Sequence, residues 1–356
     1  MQLAVTHRYA QVNGLRYHYV EAGEGPVLLL LHGFPESWWS WRHQIETLAA
    51  AGHRVIAPDQ RGYADTDKQG PYDLDTLASD ACELIRALGA ENADVCGHDW
   101  GGAVAWHVAA TRPAFVRKLA VLGAPHPAQM ATALRTSRQQ LRRSWYMFLF
   151  QLPWLPERVL PRFLQGAYRK RTQLTDDEIR PFLDEASKPG TAFAMLGWYR
   201  AAFRNALKSW FRVPRYETIA AETLLLWGEK DFDLGYDDLV PGTERYAPKL
   251  KVEVLSGAGH FAHEEQPAHV SALLRDFFAA PSATQTKNSY DVVLSAVGEN
   301  KIGVIRELRD ITGLELTAVK DLMDAVPKTI VCGATKKEAE KIREQLTGVG
   351  AIVEIG

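Results

Sequence analysis

Three residues in this chain have the types and spacing of a covalent catalyst: Asp99, Asp231 and His260. Asp99 sits in Gly97-His98-Asp99-Trp100-Gly101-Gly102. This Gly-x-Asp-x-Gly pattern marks a tight turn from strand to helix, with Asp where Ser is better known. Such a turn strains its central residue, and neighbours without a Cβ relieve the crowding. The central side chain then stands above the strand ends, with a helix N-terminus beneath it that favours negative charge. An ionised carboxylate held there can attack a saturated carbon and form an ester, dividing one hard substitution into two easier steps. Taken alone, the Asp would be read more simply as a helix cap.

Its partners change that balance. Leu224-Leu225-Leu226-Trp227 reads as a buried strand, with Gly228-Glu229-Lys230-Asp231 as the loop after it. Val252-Glu253-Val254-Leu255 is the next strand, followed by Ser256-Gly257-Ala258-Gly259-His260. Nucleophile, acid and histidine thus follow in the order expected where ligands gather at the carboxyl ends of parallel strands. His260 would take a proton from water, and Asp231 would orient the imidazole and stabilise its cation. Asp233, Asp237 and Asp238 are nearby rivals for the acid, and His263 for the base. Ester hydrolysis builds an oxyanion that needs preorganised donors. The backbone N–H of Trp100 supplies one, and that of Phe34 in His32-Gly33-Phe34-Pro35 the other.

The elements that must position these residues are readable. Arg8 to Val12 and Leu15 to Glu21 form a hairpin around Asn13-Gly14. Val27 to Leu31 is an unbroken apolar strand. A helix over Trp41 to Ala51, a strand over Arg54 to Ala57 and a helix over Leu74 to Leu88 follow. The strand Ala93 to Cys96 leads into the turn, a helix covers Ala103 to Ala110, and Lys118 to Leu122 is again a strand. This alternation predicts an α/β domain with a mostly parallel sheet. From 128 to 213 strands vanish, and aromatic and basic residues crowd into helical stretches broken by Pro153, Pro156, Pro161 and Pro189. We read this as a helical cap inserted into a core of residues 1–127 and 214–279, which closes with a helix from Glu264 to Phe278. Residues 280–289 are small and polar, a linker. Residues 290–356 form a small α+β domain: strands at Tyr290 to Ala296, Thr329 to Cys332 and Ala351 to Ile355, helices at Lys301 to Ile311, Thr317 to Ala325 and Lys336 to Leu346.

Composition narrows the partners. A net charge of −2 gives no reason to expect nucleic acid or an anionic membrane surface. No apolar run is long enough to span a bilayer, and Met1 to Thr6 does not resemble a signal peptide. The cysteines, Cys82, Cys96 and Cys332, are odd in number and far apart, which fits a reducing cytoplasm. No Cys/His cluster has zinc spacing, and no metal or other cofactor is expected.

Residues 1 to about 279 resemble the α/β-hydrolase superfamily, specifically its epoxide hydrolase branch. The resemblance rests on His32-Gly33-Phe34-Pro35-Glu36-Ser37, Gly97-His98-Asp99-Trp100-Gly101-Gly102, Gly228-Glu229-Lys230-Asp231 and Gly259-His260. It implies an α/β-hydrolase core with a helical cap, and opening of an epoxide to a vicinal diol through an Asp99 ester. It also implies two cap tyrosines that bind the epoxide oxygen, which Tyr146 and Tyr199 match. Trp38, Trp145 and Phe148, with Phe150 and Phe193, suggest a small apolar substrate. The nearest rivals are haloalkane and haloacetate dehalogenases. Phe34 stands where the former would want a halide-binding Asn, and Gly123-Ala124 where the latter would carry its acid. A non-catalytic scaffold with a partner-binding tail is a further alternative.

Residues 290–356 resemble the C-terminal domain of the bacterial ribosomal stalk protein, through the stretch Asn300 to Arg309, Thr312-Gly313-Leu314-Glu315-Leu316 and Val319-Lys320-Asp321-Leu322. That family uses this surface to bind translation factors, and Lys301, Ile302, Ile305, Arg306, Arg309 and Lys320 match its basic or apolar positions. The resemblance implies a protein partner for the tail. Glu315 and Ala318 depart from the family's pattern.

Overall fold

The computed structural model describes residues 4–172, 174–208, 216–279, 290–314 and 316–355. The strands are β1 (Thr6–Val12), β2 (Leu15–Ala22), β3 (Val27–Leu31), β4 (Arg54–Pro58), β5 (Ala93–His98), β6 (Val116–Leu122), β7 (Glu222–Gly228) and β8 (Leu250–Leu255). They form one sheet in the order β1-β2-β4-β3-β5-β6-β7-β8, with β1, β2 and β4 paired antiparallel and the rest parallel. The β1–β2 turn is Asn13-Gly14, both with positive φ (48° and 78°), the geometry that suits the twist of a hairpin. Every residue of β3 is buried. Each of its leucines contributes about 2 kcal/mol of hydrophobic burial, which explains a strand with no polar position.

Helices α1 (Arg42–Ala50), α2 (Leu74–Ala87) and α3 (Asp99–Thr111) accompany these strands. α3 is buried along most of its length and reads Asp-Trp-Gly-Gly-Ala-Val-Ala-Trp, small enough at its start to lie close against β3, β5 and β6. Between β6 and β7 come α4 (Pro127–Thr136), α5 (Arg138–Arg143), α6 (Trp145–Leu149), α7 (Leu155–Arg171), α8 (Asp176–Ser187) and α9 (Thr191–Lys208). α8 opens with a capping box, Thr175 and Glu178 each bonding the other's backbone N–H. After β7 come α10 (Tyr236–Leu239), α11 (Ala262–Glu265) and α12 (Pro267–Ala279).

Three boundaries differ from the sequence reading. β5 runs on to His98, and α3 begins at Asp99 rather than Ala103, so the turn has no loop between strand and helix. The closing helix is two helices, because Pro267 has no N–H to continue α11 and instead starts α12. The linker residues 280–289 lie outside the described residues.

The described chain divides into two compact units, one holding this sheet and one holding a second, three-stranded sheet. The second unit contains β9 (Tyr290–Ala296), α13 (Lys301–Thr312), α14 (Leu316–Asp324), β10 (Lys328–Ala334), α15 (Lys336–Gly348) and β11 (Ile352–Ile355). Its antiparallel strands lie in the order β10-β9-β11. Its own core includes Val292, Leu294, Val304, Leu308, Val319 and Leu346, all fully buried. Lys301, Ile302, Arg306, Arg309 and Lys320 are exposed on α13 and α14, and Ile302 is 84% accessible.

Candidate active site

β4 and β5 flank β3 on opposite sides, so the chain reverses direction across the sheet at β3/β5. Crevices at such reversals are where open α/β sheets bind ligands. Asp99 directly follows β5 there and Phe34 lies just beyond β3. Asp99 has φ of +47°, a conformation uncommon for a residue with a side chain, held by the close approach of its neighbours. A Cβ on Gly101 would lie 2.2 Å from the Leu31 carbonyl oxygen and 2.5 Å from that of His32, so only glycine lets α3 start against β3. The Phe34 N–H donates to Asp99 Oδ1 at 2.8 Å. Asp99 Oδ2 lies 3.5 Å from His260 Nε2.

Asp231 and His260 come from the loops after β7 and β8. These loops are drawn together where a Cβ on Gly228 would fall 1.9 Å from the Gly259 carbonyl, and Lys230 N–H donates to the Ala258 carbonyl at 2.8 Å. His260 Nδ1 lies 2.7 Å from Asp231 Oδ2, while Asp231 Oδ1 accepts the N–H groups of Asp233 and Leu234 at 2.9 Å each. The carboxylate is thereby fixed in plane. Of the rivals, His263 faces Glu36 rather than Asp231, Asp233 lines the cavity, and Asp237 and Asp238 belong to α10.

The electrostatics follow. Burial alone would lower the His260 pKa, but the Asp231 carboxylate, then Asp99, hold it well above the usual imidazole value. Burial alone would raise Asp99, yet the hydrogen bond and charge of His260, with smaller help from His98 and Phe34 N–H, keep its carboxyl below the ordinary range. The arrangement favours a protonated His260 beside an ionised Asp99.

Above Asp99, a cavity of about 60 Å³ is lined by Phe34, Tyr146, Tyr199, His260 and several apolar residues of α7. Tyr146 and Tyr199 have ring centroids 6.1 Å apart, and Tyr199 stands edge-on to Phe34 and to Trp100, each at 5.1 Å. Burial, then the neighbouring Tyr146 and Asp99, raise the Tyr199 pKa well above that of free tyrosine, so its hydroxyl stays protonated. Trp100 is the residue after Asp99, and its backbone begins α3.

The expected substrate aromatics divide. Phe150 is buried against Phe34, Tyr146 and Tyr199. Trp145 and Phe148 are about half exposed on α6 and do not line the cavity; Phe193 is likewise exposed. Trp38 packs against His7 and Trp39 instead. On α6 the cavity face belongs to Tyr146, which packs on Phe150 one turn later, and this turns Trp145 and Phe148 outward.

Beneath the site lies a cluster the sequence reading left unassigned. Glu36 Oε2 accepts the Gly33 N–H at 2.7 Å and lies 2.8 Å from His98 Nδ1; Glu36 Oε1 is 3.3 Å from His263 Nε2. His98 Nε2 is 3.0 Å from the His260 carbonyl oxygen. Carboxylate and carbonyl both accept, and burial lowers the His98 pKa, so a neutral His98 gives its one N–H to one of the two. Burial would raise Glu36, but His98 and His263 hold it well below the usual range. The ligand atoms of these three residues lie within 4.8 Å of one another, a spacing that could suit a metal ion. With Glu36 Oε2 and both His98 nitrogens already engaged, we read the cluster as a polar buttress beneath His260. Glu36 lies two residues after Phe34 and His98 one before Asp99, inside the motifs that carry the resemblance, with no sign there that they meet.

Fold and site together define an α/β-hydrolase. Residues 26–267 match the family model of the alpha/beta hydrolase fold, and the chain belongs to that family. Residues 290–356 match the model of the ribosomal protein L7/L12 C-terminal domain. The chain is 38% identical over 282 residues to the AB hydrolase superfamily protein YfhM of Bacillus subtilis, spanning 76% of this chain and 96% of that protein. It is 35% identical over 293 residues to human Epoxide hydrolase 4, spanning 76% of this chain and 78% of the other. The solved Bacillus megaterium epoxide hydrolase with an inhibitor is similar in structure, with a TM-score of 0.68, 28% identity, and coverage of 76% of this chain and 99% of that one. No helix among the described residues is long and apolar enough to cross a membrane.

Proposed function

We propose that this chain hydrolyses an epoxide to a vicinal diol through an alkyl ester on Asp99, with residues 128–213 acting as the cap over the site. The observation that carries the reading is one cavity in which an ionised Asp99, bonded to the Phe34 N–H, faces two tyrosine rings on one side and His260 on another. An Asp99 oxygen forms a bond to an epoxide carbon as that carbon's bond to oxygen breaks. The freed oxygen takes a proton from Tyr146 or Tyr199, without which an alkoxide is a poor leaving group. In the second step water attacks the ester carbonyl carbon while His260 takes its proton. The resulting oxyanion is held by the N–H groups of Phe34 and Trp100 until it collapses; His260 then returns its proton to the departing diol oxygen, and the new Asp99 carboxyl group returns one to the tyrosinate, which restores the site. Similarity to proteins named epoxide hydrolases supports the same substrate class.

The test is a panel of terminal, aryl-substituted and internal epoxides with haloalkanes and fluoroacetate, given to the parent, Asp99→Ala and His260→Gln. Diol from the parent, none from Asp99→Ala, and an ester mass on the Asp99 peptide of His260→Gln are expected. Halide release without diol would replace the epoxide reading with a dehalogenase, and full activity in Asp99→Ala would remove Asp99 from the chemistry.

A further inference from the structure

Tyr168 on α7 lines the same cavity, yet no step above uses it. Its ring lies 5.0 Å from Phe261, the residue after His260, and stacks 6.0 Å from Phe182 of α8. Tyr146 and Tyr199 instead pack with Phe150, and Tyr199 also with Phe34 and Trp100. The cavity therefore has two polar sides. One carries the Tyr146–Tyr199 pair, and the other carries His260, Phe261 and Tyr168.

Tyr168 is 2% exposed, and its hydroxyl has no hydrogen-bond partner among the described residues. A buried hydroxyl without a partner is costly, so such a group in a cavity wall is matched to something the cavity receives. Burial, then the charges of Glu36, Glu264 and Asp99, raise its pKa well above that of free tyrosine, so it remains an O–H donor. Tyr168 shares the cavity lining with Asp99 and His260.

We propose that Tyr168 positions the water that hydrolyses the Asp99 ester, a role that rests on the covalent reading above. That water gives a proton to His260 Nε2 and turns one lone pair to the ester carbon. Its second lone pair accepts the Tyr168 O–H, which fixes the attack direction. No bond of Tyr168 is made or broken, so it is a positioning residue.

The experiment is rapid-quench kinetics of the full chain with an epoxide the parent converts, following Asp99 ester by intact mass and diol by chromatography. For Tyr168→Phe, ester formation should stay within about twofold while ester hydrolysis slows about tenfold or more, the scale expected for losing one positioning contact. kcat and KM then fall together, kcat/KM is nearly unchanged, and ester accumulates. Phe182→Leu, which loosens the same packing but keeps the hydroxyl, should leave the ratio of the two rates as in the parent. Slowed ester formation without accumulation in Tyr168→Phe would overturn the proposal, as would the same shift in Phe182→Leu. If neither the parent nor His260→Gln ever carries an ester, the covalent reading itself fails and the role of Tyr168 with it.

Discussion

Gly101→Ala is the most informative single change in this chain, because its cost can be worked from distances. The new Cβ would meet the carbonyl oxygens of Leu31 at 2.2 Å and His32 at 2.5 Å. Ordinary contact needs roughly 1 Å more, so α3 must move away from β3 by about that distance. Neither carbonyl is free to yield. Leu31 is paired with Gly97 across the sheet, and the His32 oxygen accepts from the Gln60 side chain at 2.5 Å. Asp99, two residues before Gly101, would be carried off the Phe34 N–H it now meets at 2.8 Å. Overpacking of this kind costs about 1–3 kcal/mol of stability. A 1 Å displacement of a reacting group costs about 10²-fold in rate. The assay is kcat/KM on the best epoxide of the panel beside a urea midpoint, with Gly166→Ala as control, since nothing lies within 4 Å of a Cβ there. We expect the control to match the parent or exceed it slightly. A Gly101→Ala protein with parental rate and midpoint would refute the claim that contact with β3 sets the position of Asp99.

Three further outcomes are expected. Replacing both Tyr146 and Tyr199 by Phe should slow ester formation by about 10²–10⁴-fold, the usual share of a positioned acid, and either change alone by less; a double variant that forms ester at the parental rate would sink the role. His126 is buried, and that burial, with His107 nearby, lowers its pKa to about 3. Its unfolded form binds a proton below about 6.5 while the folded form does not until about 3, so stability is lost as pH falls through that window, by about 2 kcal/mol between pH 7 and pH 5. His126→Asn keeps a side-chain acceptor for the Ala128 N–H that His126 now caps, and should flatten the pH dependence of the urea midpoint; an unchanged slope would contradict the assignment. Residues 290–356 expressed alone should show one cooperative unfolding transition, since Val292, Leu294, Val304 and Leu308 close their own core; a featureless urea titration would contradict this.

Much of this was legible because local rules and the fold agree. A strand of nothing but leucine and valine at β3 has to be buried on both faces, and Asn13-Gly14 has few uses besides a tight hairpin. Asp99, Asp231 and His260 could be nominated together because each follows a recognisable strand, and strand ends of a parallel sheet share one edge. What escaped notice needed convergence in space. Glu36, His98 and His263 come from a loop, a strand end and a short helix whose meeting no spacing announces. Tyr168 looks like any aromatic in a helix until Phe261 is brought beneath it. Trp145 and Phe148 were misjudged for a related reason: an aromatic-rich stretch declares that something is covered, and only the helix phase decides which rings do the covering. The α3 boundary was misplaced because glycine pairs usually end helices, whereas Gly101 and Gly102 here make room for one to start.

The contact between His260 and Asp99 carries a consequence for timing. In the resting site, Asp99 is one of the two anions that keep a proton on His260. Under the proposed reaction, the first step turns that anion into a neutral ester, and the smaller of the two holds on the proton disappears with it. The imidazole then relaxes towards a base at the moment a base is needed. A water molecule entering before the substrate meets a His260 biased towards its protonated form, while one entering afterwards meets a freer base. The site thus works as a sequencer: consuming the nucleophile's charge arms the second half of the cycle, with no moving part required.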